Sequence, residues 1–300
     1  MHYRKRRRHA LFTAVVTSLC LDLAGCGNGE NPAQSATTLL AKARALAAGT
    51  GSGKPAAQPV APSGSDGRFM AFESAESNVV EGDTNRVTDV FVFDRQAKRT
   101  VRVSINSSGA QANGGSFLPQ LSGDGRYVVF ESLASNLVPD DTNRQRDVFV
   151  HDLQTRKTTR VSVDSAGGQA NNFSQAAHLS GDGRYVLFES LASNLVPGDT
   201  NGVIDVFVHD RQTRQTTRVS VASGGLQANN TSVNPTLSAD GRYVTFESFA
   251  TNLTSEQSDG QKQTFVHDRE TGRTMRAPSQ SAAGAAVGLP APSPIPAEGG

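Results

Sequence analysis

Short apolar segments alternate with polar connections along most of the chain, and the stretch 117–163 shows the pattern most clearly. Residues 117–122 and 126–132 are apolar runs separated by a glycine-rich turn, a combination typical of a β-hairpin. A long polar connection follows at 133–146, and two further apolar segments lie at 147–152 and 159–163. The pattern therefore predicts four β-strands in this stretch.

The composition of each run predicts its place in a sheet. Residues 127–130 and 148–150 carry apolar side chains on both faces, as strands do when other sheets pack on both sides. Residues 159–163 alternate between polar and apolar, and Pro119 and Pro235 lie in a first run, where only an edge strand tolerates a missing N–H. We therefore expect the first strand innermost and the fourth outermost, which is the order of a propeller blade.

The same pattern occurs four times. Asp66, Asp124, Asp182 and Asp240 each lie in an Asp-Gly-Arg turn and follow one another at intervals of 58 residues. Repeats of this length with strand-like content indicate units that bury their apolar faces against their neighbours. The sequence therefore predicts an all-β fold, a β-propeller of about four four-stranded antiparallel blades over 64–279, with repeats at about 64–121, 122–179, 180–237 and 238–279.

Three segments of the repeat carry a family resemblance. They are Ser-x-Asp-Gly-Arg-Tyr-Val-x-Phe-Glu-Ser at 122–132, Asp-Val-Phe-Val-x-Asp at 147–152 and Thr-Thr-Arg-Val-Ser at 158–162. Together they resemble the WD40-like β-propeller repeats of TolB-type periplasmic proteins, over about residues 64–279. The resemblance implies a propeller that binds protein partners in the cell envelope.

Residues 1–25 have the order of an export signal, with basic residues first, an apolar run at 10–21 and small residues before Cys26. The sequence Leu-Ala-Gly-Cys at 23–26 resembles a bacterial lipobox, which implies a diacylglyceryl group on Cys26. An apolar run of about 12 residues is too short to cross a bilayer. We therefore predict a lipoprotein signal peptide at 1–25 and an acylated Cys26, with cleaved soluble export and a retained membrane anchor as the alternatives.

The segments that flank the repeats differ from them in composition. Residues 26–63 contain an Ala- and Leu-rich stretch followed by Gly and Pro, which predicts a mostly flexible linker with a short helix. Residues 280–300 are rich in small residues and Pro, which predicts a disordered tail. The segment 48–54 lacks the Ser or Thr and the strand–helix context of a phosphate-binding loop, so we expect no nucleotide.

Charge and cysteine content limit the classes of partner that we expect for this chain. The 300-residue chain has a formal net charge of +1, but residues 26–300 hold 24 Lys and Arg against 27 Asp and Glu, a net charge of −3. This balance does not indicate a nucleic-acid-binding protein. Removal of Cys20 with the signal and acylation of Cys26 leave no free thiol. We therefore expect a bacterial cell-envelope protein, held at the lipid bilayer on the periplasmic side or the cell surface, with envelope proteins as partners.

The loop before the third strand carries Asp-Thr-Asn-x-x-x-Asp in three of the four repeats. Alternating oxygen side chains suit calcium, although the glycine and the closing Glu of an EF-hand loop are missing. Aspartates that cap the loop and the strand start are the other interpretation, so no cofactor is predicted and calcium is the alternative. The candidate residues are Asp83, Asn85, Asp89, Asp141, Asn143, Asp147, Asp199, Asn201 and Asp205.

Histidines also recur once per repeat, at His151, His209 and His267. Each lies on the third strand of a different predicted blade, so these ligands do not converge on one metal ion. We expect them to pack beside the aspartates that follow them.

Two sets of long loops leave each predicted blade on the same face, and function on repeat scaffolds tends to reside in such loops. The candidate docking residues there are Arg144, Asn113, Asn171 and Asn229. Asparagines that satisfy the loop backbone through Asx turns are the alternative. Nearly every polar residue is duplicated by the repeat, whereas a catalytic site needs several different groups in one place. We therefore predict a non-catalytic protein-interaction or ligand-binding scaffold; the alternatives are a calcium-binding structural propeller and a propeller hydrolase or lyase.

Overall fold

The computed structural model describes residues 67–256 and 259–277. In that part of the chain all regular elements are β-strands, and they form four antiparallel sheets. Sheet 1 contains β1 (Phe69–Ser74), β2 (Asp89–Asp94) and β3 (Arg99–Arg102); sheet 2 contains β4 (Ser116–Leu121), β5 (Tyr127–Ser132), β6 (Asp147–Asp152) and β7 (Lys157–Arg160); sheet 3 contains β8 (Ser174–Leu179), β9 (Tyr185–Ser190), β10 (Asp205–Asp210) and β11 (Gln215–Arg218); sheet 4 contains β12 (Ser232–Leu237), β13 (Tyr243–Ser248), β14 (Gln263–Asp268) and β15 (Arg273–Arg276).

The strands of each sheet are paired in sequence order, and this order confirms the predicted all-β propeller with about four blades. Sheet 1 has three described strands, because the segment equivalent to β4 lies before residue 67. The predicted signal peptide at 1–25, linker at 26–63 and tail at 280–300 lie outside the described residues.

The core consists of three apolar clusters, one between each pair of consecutive sheets. In sheet 3, Phe188 and Phe207 belong to the cluster shared with sheet 2, whereas Leu187 and Val206 belong to the cluster shared with sheet 4. All four side chains are fully buried, and the rings of Phe188 and Phe207 stack with centroids 5.8 Å apart. The middle strands are therefore covered on both faces, as their composition predicts.

The repeated Ser-x-Asp-Gly-Arg sequence forms the turn between the first two strands. In sheet 3, Asp182 accepts hydrogen bonds from Ser180 Oγ (2.6 Å) and from the backbone N–H of Arg184 (2.9 Å), and Gly183 has a positive φ of 68°. Arg184 then donates to both carboxylate oxygens of Asp210 at the end of β10, at 3.0 and 2.7 Å. The motif therefore closes a hairpin and ties it to the third strand, which is a structural role.

A glutamate on the second strand joins each sheet to the next. Glu131 of β5 accepts a 2.6 Å hydrogen bond from the backbone N–H of Ala176 in sheet 3, and Glu189 accepts one of 2.6 Å from Asn234 in sheet 4. Ala176 and Asn234 have positive φ angles of 52° at the β-bulges of β8 and β12. At the bulge one backbone N–H does not pair within its own sheet, and the glutamate of the preceding sheet accepts its hydrogen bond.

The fourth strand lies earlier than the sequence predicts, at Lys157–Arg160 and not at 159–163. The N–H of Val148 donates to Ser162 Oγ at 3.1 Å, and Val163 forms an isolated bridge with Gln169. The Ser162 hydroxyl thus accepts a hydrogen bond that a backbone carbonyl of a regular strand would accept. Regular pairing therefore ends at Arg160, although the polar–apolar alternation of the side chains continues.

Candidate functional site

The candidate calcium residues of sheet 2 come together around an arginine of β7. A guanidinium nitrogen of Arg160 lies 3.2 Å from Asp141 Oδ1 and 3.7 Å from Asp147 Oδ2. Asn143 Nδ2 donates to Asp147 Oδ2 at 2.8 Å, and Ser162 Oγ donates to Asp147 Oδ1 at 2.6 Å. Both oxygens of Asp147 therefore have donors from the protein itself.

The loops of sheets 1 and 3 repeat this arrangement. An arginine at the same position of the fourth strand lies between the two carboxylates: Arg102 is 3.4 Å from Asp83 and 3.6 Å from Asp89, and Arg218 is 3.0 Å from Asp199 and 3.3 Å from Asp205. The loop asparagine again donates to the second carboxylate, at Asn85 and Asn201. The structure thus brings together all nine candidate residues in three equivalent clusters.

These clusters are buried, and burial sets their electrostatics. Burial raises the pKa of Asp147 and Asp205, against the opposing effect of hydrogen bonds and of the arginine beside each. The arginine guanidinium already lies between the two carboxylates. A calcium ion would need direct access to the same carboxylate oxygens. Within the described ranges, no group of three His, Cys, Asp or Glu side chains is placed to hold a metal ion. The absence of a cofactor stays a prediction, with calcium at these loops as the alternative.

The candidate docking asparagines are exposed, but their amides join neighbouring loops. Asn171 Nδ2 donates to Ser193 Oγ at 2.9 Å, and Asn171 Oδ1 accepts from the backbone N–H of Ser193 at 2.9 Å. Asn113 makes the same pair of bonds with Ser135, and Asn229 makes it with Thr251. Each asparagine fixes the loop that leaves one sheet to a loop of the next sheet.

Other side chains on the same loops face solvent. Arg144 is exposed and has a positive φ of 58°. Leu133 is 52% exposed, Leu226 is 61% exposed and Phe249 is 36% exposed. Our sequence reasoning missed these apolar residues because it followed the loops' polar character. A comparison of equivalent positions finds Leu226, since Gly168 stands there in the preceding repeat.

The repeated histidines belong to a connection between consecutive sheets. His209 Nδ1 lies 2.9 Å from Thr216 Oγ1, and this hydroxyl donates to the carbonyl oxygen of Val163, in the loop that leaves sheet 2. The backbone N–H of Thr216 donates to Ser165 Oγ in the same loop, at 3.0 Å. His151 and His267 have equivalent partners. Sheet 1 has Phe93 at this position, and no described sheet precedes it.

Cys26, the predicted lipidation site, lies outside the described residues. Among the residues that the structure describes, no helix is long and apolar enough to cross a membrane.

Several solved structures resemble the chain at low sequence identity. TolB from Acinetobacter baumannii matches at 19% identity and a TM-score of 0.42, over 73% of this chain and 43% of that chain. The putative TolB from Agrobacterium tumefaciens matches at 14% identity and 0.42, over 70% and 61%, and an oligogalacturonate lyase in complex with manganese matches at 12% and 0.46, over 77% and 56%. The chain thus spans less than two thirds of each. No family model and no curated protein matches the sequence.

Proposed function

We propose that this protein is a lipid-anchored, non-catalytic binding scaffold of the bacterial cell envelope. In this proposal the acylated Cys26 holds the chain at a membrane, and the sheets present their long loops to a protein partner. The lipobox-like sequence at 23–26 supports the anchor. The packed β-sheets support the scaffold, because rigid sheets hold the loops in fixed positions.

The observation that carries the docking proposal is the exposure of large apolar side chains on these loops. Leu133, Leu226 and Phe249 are each more than a third exposed, and they lie among loops whose polar groups are already bonded to one another. Aromatic side chains and arginines that lose contact with water at the centre of an interface contribute most to its affinity, and apolar neighbours help to exclude water around them. We therefore place the docking surface at Leu133, Leu226, Phe249 and Arg144, and not at the asparagines.

The test is affinity capture from crosslinked cell envelopes. We expect the wild-type chain to retain an envelope protein that the Leu133→Ser and Phe249→Ser variants lose. Met275→Ser is the matched control, because Met275 is 39% exposed but lies on the outer strand β15 and not on a loop. Capture of the same proteins by all four chains would contradict a docking role for the loops.

Three further measurements separate the alternatives. Replacement of Cys26 by Ser is expected to release the chain from the membrane fraction, and retention of the variant there would contradict the anchor. Millimolar calcium is expected to leave the melting temperature unchanged, since arginines lie between the loop carboxylates. A calcium-dependent rise would restore the calcium-binding alternative, and turnover of esters, lactones or glycosides would favour the enzyme alternative.

A further inference from the structure

A cleft of about 810 Å³ lies between the outer part of sheet 2 and sheet 3. Four basic side chains line it: Lys157 and Arg160 of β7, and Arg211 and Arg214 of the turn between β10 and β11. Two acidic side chains, Asp152 and Asp164, also line the cleft and offset part of its positive charge.

Both acidic side chains are already engaged. Asp152 accepts two hydrogen bonds from the Arg126 guanidinium, at 3.1 and 2.7 Å. Asp164 Oδ1 accepts from the backbone N–H groups of Ala166 and Gly168, at 2.8 and 2.7 Å. Neither carboxylate is in ion-pair contact with the four basic side chains of the cleft, and Asp152, whose charge acts favourably on Arg211, is already paired with Arg126.

Of the basic side chains, only Arg160 has carboxylate partners, in the cluster described above. Lys157 and Arg214 are exposed, and neither forms an ion pair with any residue in the described ranges. Arg211 is half-buried and likewise has no carboxylate partner within these ranges. The cleft thus carries an excess of positive charge.

Arg211 has the most unusual environment of these residues. Its guanidinium lies 4.1 Å from the centroid of the Tyr127 ring and donates to the carbonyl oxygen of Gly183 at 2.5 Å. The Arg126 guanidinium lies 4.8 Å from the same ring. Burial lowers the pKa of Arg211. A positive charge partly removed from water, with no carboxylate in direct contact, is unfavourable, and a bound anion would relieve this cost.

The chain repeats this arrangement once and omits it once. Between sheets 3 and 4, Arg269 lies 4.1 Å from the Tyr185 ring centroid and donates to the carbonyl oxygen of Gly241. Between sheets 1 and 2, Leu153 stands in the position of Arg211, although that cleft of about 440 Å³ is also lined by arginines. The half-buried cation is therefore a feature of two junctions and not of the repeat as such.

We propose that the cleft beside Arg211 binds a phosphate-type oxyanion, and that the equivalent guanidinium of Arg269 offers a second such site. Guanidinium N–H groups match the spacing of phosphate oxygens, and Lys157 and Arg214 add charge at the mouth of the Arg211 cleft. Free phosphate compounds and the phosphates of lipid head groups present the same chemistry. This inference goes beyond the scaffold function and does not depend on it.

The test uses the full-length chain with Cys26→Ser in every sample, so that an acyl anchor does not contribute to vesicle binding. One arm titrates inorganic pyrophosphate by calorimetry, and the other measures flotation with phosphatidylglycerol vesicles against phosphatidylcholine vesicles. The test variant is Arg211→Leu with Arg269→Leu, which installs the residue found at Leu153. The control is Arg95→Leu, an exposed arginine at the equivalent position of sheet 1.

We expect the Cys26→Ser chain to bind pyrophosphate or phosphatidylglycerol vesicles saturably. The affinity is expected to fall about tenfold or more in the double variant and less than about twofold in the control. Binding in the first arm assigns a free phosphate compound, and binding in the second arm alone assigns a lipid head group. If the double variant does not fold, Lys157→Gln with Arg214→Gln at exposed positions is expected to weaken binding about threefold. Equal loss in control and test variants, or no saturable binding of either probe, would overturn the proposal.

Discussion

The face that sheet 3 turns toward sheet 4 and the corresponding face of sheet 4 occupy the same place in the repeat but differ in composition. Leu187 and Val206 of sheet 3 are fully buried against sheet 4. At the equivalent positions sheet 4 has Thr245, which is half-buried, and Thr264, which is exposed. Within the described ranges sheet 4 is the last sheet. At these two positions the repeat has apolar residues where a following sheet covers them and polar ones where none does.

This difference shows which residues of the repeat maintain the packing between sheets. The Arg–Asp pair that follows the Asp-Gly motif is present in all four copies, including Arg68 with Asp94 and Arg242 with Asp268. These contacts lie within one sheet, so they are needed whether or not a neighbour is present. Leu187, Val206 and the linking glutamates depend on the neighbour, and their substitution should distinguish a covered face from an uncovered one.

The largest expected effect is at the centre of a covered junction. Phe188→Ala is expected to lower the free energy of unfolding by about 3–5 kcal/mol, because it leaves a cavity between sheets 2 and 3. Met275→Ala, on the uncovered face of sheet 4, is expected to cost less than about 1 kcal/mol. Urea denaturation measures both values. Similar losses for the two variants would mean that the junction is not a packed core.

The next effect is a pH dependence carried by the histidines. Burial lowers the pKa of His209 to about 4, whereas an unfolded histidine titrates near 6.5. Between these values the unfolded chain binds a proton that the folded chain does not, so stability falls as the pH falls. His209 is expected to cost about 2 kcal/mol by pH 5 relative to pH 7.

The control for this effect is His209→Phe, which installs the residue that sheet 1 has at Phe93. The loss of stability between pH 7 and pH 5, measured by urea denaturation, is expected to be smaller in this variant than in the wild type. Buried carboxylates with raised pKa values, such as Asp205, act in the opposite direction but are common to both chains. Identical losses in both chains would contradict a buried, neutral histidine.

The smallest of these effects concerns the glutamates. Glu189→Ala is expected to cost about 1–2 kcal/mol, since it removes the acceptor for the N–H of Asn234 in the next sheet. Glu247→Ala is expected to cost less than about 0.5 kcal/mol, because Glu247 forms an ion pair with the half-exposed Lys262. Thermal denaturation compares the two. A larger loss at Glu247 would contradict the linking role of Glu189.

The repeat and the strand order were predictable from the sequence because apolar patterning reports directly on burial. Residues 127–130 and 148–150 were predicted to be covered on both sides, and they lie in β5 and β6, which the structure buries between sheets. The end of β7 was not predictable in this way. Val148 bonds to the hydroxyl of Ser162, and alternation of side chains does not reveal which group satisfies a backbone N–H.

The roles of single polar residues were harder to predict for the same reason. The Asp and Asn residues of the loop were found, but the partner of Asp141 and Asp147 is Arg160, which the sequence places on a different strand. Asn171 is exposed as expected, yet both ends of its amide are bonded to Ser193 of the next sheet. The first pairing depends on how one repeat folds, and the second depends on a contact between sheets, which one repeat read alone does not contain.

The most direct test of the packing account is a reciprocal exchange at one position of the repeat, Leu187→Thr in sheet 3 and Thr245→Leu in sheet 4, with the free energy of unfolding measured in urea. We expect Leu187→Thr to cost about 3 kcal/mol, because it removes apolar contacts and buries a hydroxyl group. Thr245→Leu is expected to change stability by less than about 0.5 kcal/mol. Equal effects of the two substitutions, or a large gain from Thr245→Leu, would contradict the claim that the sequence of each repeat follows the coverage of its sheet.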